Sequence, residues 1–96
     1  MDLAAFRASL AAAAPPDGAS LPLGALWWDA KGDWEKAHIA AQADDSRRGC
    51  SVHAYLHRKE GDAANANYWY FRAGRPPHAG TLDEEWQALV AEMLAA

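Results

Sequence analysis

Cys50, His53 and His57 stand three and four residues apart, so on a helix their side chains share one side, and Glu60 continues the row. A thiol and two imidazoles in line are ligands that zinc and other transition metals accept. One straight helix does not wrap three ligands round an ion, so a metal here needs a further group from elsewhere, with His38 and Asp45 as candidates. Two other readings of the same residues stay open. The row could line a polar pocket that binds a small ligand or does catalysis. Alternatively it packs against neighbouring helices, with Cys50 as a small apolar filler and the imidazoles bonded to backbone or carboxylate, which is the commoner fate of such a row. A Cys–His nucleophilic pair asks for an orienting third group and an oxyanion site. The sequence announces neither, so no catalytic residue and no cofactor is expected.

The surroundings of this row are basic and aromatic. Between Ser46 and Pro76, Arg47, Arg48, Arg58, Lys59, Arg72 and Arg75 face only Glu60 and Asp62, a net +4 in a chain whose total is −4. Arg58, Lys59 and Arg72 fall in the last turns of their helices, where the macrodipole favours cations. Arg47 and Arg48 fall at a helix start, where it does not, so either Asp44 and Asp45 neutralise them or they face an anionic ligand. The five tryptophans, Trp27, Trp28, Trp34, Trp69 and Trp86, can fill volume between alanine-rich helices. Adjacent helical residues diverge by about 100°, so Trp27-Trp28 and Tyr68-Trp69-Tyr70-Phe71 cannot all point inward. The candidate binding surface therefore joins His53 and His57 to Arg47, Arg48, Arg58 and Arg72 and to the rings of Tyr68 and Trp69.

Helices must position these groups. Alanine dominates the apolar residues, and β-branched residues are limited to Ile39, Val52, Thr81 and Val90, which argues against a sheet. Leu3, Phe6 and Leu10 predict a first helix from Asp2 to Ala14, ended by Pro15-Pro16. Ser20 and Pro22 open a second that carries Leu23, Leu26 and Trp27 and stops at Gly32. A third runs from Asp33 to about Ala43, a fourth from Arg47 to Glu60, and a fifth from Asp62 to Ala73, ended by Gly74 and Pro76-Pro77. Thr81 and Glu84 have the spacing of a capping box that opens the last helix, with Leu82, Trp86, Leu89, Val90 and Met93 as its apolar stripe. The expected fold is all-α, a compact bundle of about six short helices. It forms a single domain over residues 1–96, with an N-terminal helix in 1–14, two helical hairpins in 21–74 and a closing helix in 81–96.

A shift of 29 residues lays Gly32-Asp33 on Gly61-Asp62 and Ala37 on Ala66. In the second copy Ala66 and Ala73 lie two turns apart around Tyr70. Over about residues 23–74 this pattern resembles tetratricopeptide or Sel1-like repeats, although Ala41 stands in the first copy where a large aromatic belongs. The resemblance implies helical hairpins with flanking capping helices, used for protein or peptide binding or for self-association, and brings no catalytic residues. The chain has no room for the three or more repeats that usually sustain a solenoid, which predicts a closed bundle.

A pI near 5.4 argues against a general nucleic-acid binder. No apolar run approaches the roughly 18 residues of a membrane span, and Asp2 and Arg7 spoil the start of a signal peptide. The single cysteine excludes an internal disulfide and suits a reducing compartment. The expectation is a soluble cytoplasmic protein whose partner is a protein, a peptide or a second copy, with an anionic ligand possible and no nucleic acid or membrane involved.

Overall fold

Each helix begins where a side-chain oxygen accepts an amide that the first turn leaves free. In the computed structural model, which describes all 96 residues, Asp2 caps α1 (Leu3–Ser9) and Ser20 caps α2 (Leu21–Ala30). Asp33 caps α3 (Trp34–Gln42) and Ser46 caps α4 (Arg47–Lys59). Asp62 caps α5 (Ala63–Ala73), and Thr81 caps α6 (Leu82–Ala95), where it exchanges both bonds of the expected capping box with Glu84. There are no strands, and the fold is all-α.

The two Gly-Asp junctions are one piece of structure used twice. Gly32 and Gly61 adopt φ of +82° and +88°, a left-handed conformation that side chains with a Cβ resist. At the first junction the Gly32 N–H donates to the Asp29 carbonyl and the Asp33 N–H to that of Trp28. At the second, Gly61 donates to Arg58 and Asp62 to His57. This pair of bonds absorbs the last free carbonyls of one helix, and the aspartate then starts the next.

The first helix is shorter than its periodicity predicts. It ends at Ser9 rather than Ala14, and Leu10, Ala11 and Ala12 continue as turns that bond three residues back. Ser9 Oγ donates to the Phe6 carbonyl, and Lys31 Nζ donates to the carbonyls of Leu10 and Ala12 at 2.7 and 3.1 Å. These tertiary bonds to a charged donor outweigh the small helix preference of each alanine.

α4 packs against α2, α3, α5 and α6, whereas α1 packs mainly on α6 and is tied to α2 by Trp27 Nε1 donating to Ser9 Oγ at 3.1 Å. The main core joins Phe6, Leu26, Trp27, Val52, Leu56, Trp86 and Val90, with Ala25, Ala37 and Ala41 allowing close approach of the helices. Every residue from Gly49 to His57 is buried. Gly49 is required sterically, because a Cβ there would run into the backbone carbonyl of Asp44.

Polar side chains on α4 carry partners into the interior. Tyr55 donates to Asp29 of α2 at 2.8 Å, and Lys59 donates to the other oxygen of the same carboxylate at 3.0 Å. Arg58 and Tyr70 both donate to Glu85 of α6. No buried side-chain nitrogen or oxygen lacks a hydrogen-bond partner. The Glu85 side chain is only 4% exposed, against 33% for Glu92 in its pair with Arg75. Glu85→Ala is therefore expected to lower unfolding free energy by about 3 kcal/mol, because Arg58 and Tyr70 lose their acceptor. Glu92→Ala costs less than about 1 kcal/mol. Urea denaturation of both variants checks the ordering.

Candidate metal centre

Where α3, α4 and α5 meet, three imidazoles converge. His38 comes from α3, and His53 and His57 come from successive turns of α4. The Nε2 atoms of His38 and His53 lie 2.9 Å apart, so one neutral ring donates to the other. The ring centroids of His53 and His57 are 4.9 Å apart, and those of His38 and His57 are 5.2 Å apart. One ligand nitrogen from each ring can be chosen so that all three lie within 4.8 Å of one another.

Two indoles wall the cluster. Trp34 stacks on His38 at 4.8 Å between centroids, held by its Nε1 donating to the Leu56 carbonyl. Trp69 of α5 stacks on His53 at 3.9 Å. His57 Nδ1 bonds Glu60 Oε1 at 2.6 Å, which fixes that ring's orientation and leaves its Nε2 as the free nitrogen. His53 and His57 are buried and His38 is half-buried, so the solvent edge of the cluster lies at His38.

Burial is the largest influence holding the His53 imidazole neutral, and the neighbouring His38 and His57, with Arg72 behind them, add to it. Together they depress its pKa from 6.5 to about 4. His38 moves the same way, by burial first and then by His57, with Glu60 opposing. Neutral imidazoles with a free nitrogen are the form that metals bind.

The residues singled out in the sequence divide. His53 and His57 do share a site, and His38 supplies the group from outside α4. Cys50 and Asp45 stand apart from that site. The Cys50 thiol faces the Asp45 carbonyl at 3.7 Å, and burial pushes its pKa up, so it is neither a ligand here nor an activated nucleophile. Arg72 lies over Trp69 and Tyr68, at 5.0 and 5.9 Å from their ring centroids, on the α5 side of the site. Arg58 is engaged by Glu85 and the Gly80 carbonyl. Arg47 rests against Gly74, and Arg48 lines a separate hollow with Asp44 and Met93. Neither is in an ion pair with Asp44 or Asp45. The four arginines thus do not form one border. Trp34 was legible only as one of five tryptophans available to fill volume between helices, and nothing in its spacing pointed to the histidines.

No protein-family model, curated protein or solved structure matches the chain. No helix is long and apolar enough to cross a membrane.

The depressed basicity of His53 sets a pH dependence. Its folded-state pKa of about 4 lies below the ordinary 6.5, so in that interval the unfolded chain binds the proton more readily. Stability from this group is complete above the ordinary pKa, declines as pH falls through the interval, and is lost below the folded-state value. The urea midpoint is expected to fall across this window, and His53→Phe, which keeps the stacking on Trp69, is expected to flatten the slope.

Proposed function

We propose that this chain binds a divalent transition-metal ion, zinc or a neighbour in the same series, through His38, His53 and His57. The convergence of their ring nitrogens within 4.8 Å carries the reading. A tetrahedral zinc ion holds imidazole nitrogens about 3.3 Å apart. His38 and His53 therefore open slightly, exchanging their mutual hydrogen bond for bonds to the ion, and His57 closes in. Glu60 supplies the carboxylate that orients a metal-bound histidine. Three protein ligands leave a position for water or another external ligand. Because His53 holds its proton so weakly, acid competes poorly at that ligand.

Titration of chelator-treated protein with Co²⁺ and Zn²⁺, followed by cobalt visible absorption and tryptophan fluorescence, tests this. One ion per chain is expected, with Kd of about micromolar or below. Glu60→Gln is expected to weaken binding about tenfold, and His38→Ala should abolish it. Asp62→Asn should leave it unchanged, because the group His57–Glu60–Asp62, whose two carboxylates are exposed, is not the site. Absence of saturable binding, or undiminished binding by His38→Ala, refutes the assignment.

A second reading, a protein-interaction or self-association module, is favoured by the exposure of Phe71 at 82%, Ile39 at 67% and Tyr68 at 52%. The resemblance to tetratricopeptide and Sel1-like hairpins supports it. Light scattering should then show a dimer that Phe71→Lys returns to monomer. A species that stays monomeric at every concentration leaves no self-association to explain.

A further inference from the structure

The largest cleft, about 490 Å³, opens between α1, α2, α4 and α6 and contains none of the three histidines. Its size falls within the range of small-molecule sites, roughly 300–1,000 Å³. Leu10, Leu82 and Trp86 give it an apolar floor, and Arg7, Lys59 and Asp83 stand at its polar edge.

Counting donors and acceptors shows what this edge leaves unspent. The Arg7 guanidinium lies 5.6 Å from the Trp86 ring centroid and has no carboxylate within ion-pair distance. Lys59 donates once, to Asp29, and keeps two ammonium hydrogens. Asp29 has one oxygen on Lys59 and the other on Tyr55, so it is occupied. Asp83 accepts from the neutral Gln87 amide at 2.7 Å and meets no cation. What remains is a set of cationic donors and a separate carboxylate beside an apolar floor.

We infer that this cleft binds a free amino acid with an apolar side chain. Its carboxylate takes the open donors of Arg7 and Lys59, its ammonium group takes Asp83, and its side chain lies on Leu10, Leu82 and Trp86. A simple carboxylic acid would be repelled by Asp83 and leave it unused, and a simple amine would be repelled by Arg7. A zwitterion satisfies both. Helix dipoles offer an explanation without a ligand, since Arg7 lies in the last turn of α1 and Asp83 in the first turn of α6. That explanation predicts no selectivity between zwitterion and single-charge analogues.

The test is amide NMR of the full chain, kept in chelator, with L-phenylalanine, 3-phenylpropionate and phenethylamine as probes. Phenylalanine is expected to give saturable shifts at Leu10, Lys59, Leu82 and Trp86. Each single-charge analogue is expected to bind about tenfold more weakly, and Arg7→Gln and Asp83→Asn to weaken phenylalanine about tenfold each. Both residues are exposed, so circular dichroism should show the fold retained. No saturable shift by about 10 mM phenylalanine, equal binding of either analogue, or unaltered binding by both variants would overturn the proposal.

Discussion

Everything in this molecule is arranged round a helix that is surrounded on all sides and is nevertheless polar. α4 is buried continuously from Gly49 to His57 while carrying Ser51, His53, Tyr55 and His57, and it ends on Arg58 and Lys59. A buried polar group without a partner costs of the order of 1–3 kcal/mol, so each of these has to be answered by a specific atom on a neighbour. Ser51 and His57 are answered locally, by the Arg47 carbonyl and by the Glu60 carboxylate at the end of the helix. The others reach outward: Tyr55 to Asp29 on α2, His53 to His38 on α3 and to the Trp69 face on α5, and Arg58 to Glu85 on α6. Apolar contact makes the bundle compact, but these directional pairings fix which helix lies on which face of α4.

The same constraint explains what could be read in advance. Helix starts and stops are local chemistry, so Ser20, Asp33, Ser46, Asp62, Thr81 and the two Gly-Asp junctions are legible residue by residue. The apolar stripe of α6 was equally plain. The partners of α4 were not, because Asp29 and Glu85 become meaningful only when a particular tyrosine or arginine arrives from another helix. A signal existed: Glu85 lies on the Leu82–Leu89 face and Asp29 on the Ala25–Leu26 face, each a carboxylate at an apolar register. The histidine row was half visible for a similar reason. His53 and His57 follow from spacing along one helix, but the choice of His38 over Cys50 depends on how α3 crosses α4, which no single-helix pattern encodes. The early end of α1 depends on Lys31, more than twenty residues away.

The imidazole cluster and the rest of the core are held by opposite arrangements. Asp29 and Glu85 face cationic and hydroxyl donors, so their charges are compensated inside the fold. The histidines face each other, two indoles and the Glu60 carboxylate, and burial holds His53 and His38 toward the neutral form with the three rings close together. A protein needing only packing there could fill the space with leucine at no electrostatic cost. The stability lost on acidification follows from the neutrality of the buried His53.

The repeated junction also bears on assembly. Lys31-Gly32-Asp33 and Glu60-Gly61-Asp62 are three-residue connections, and the helices they join, α2 with α3 and α4 with α5, are the most extensively packed pairs in the molecule. Contacts between sequence neighbours close small loops and form early, whereas the α1–α6 contact must wait for nearly the whole chain to be in place. The order of folding that this implies runs from the two hairpins outward, with Phe6 docking on Trp86 as a late event and the histidine cluster assembled when the hairpins meet.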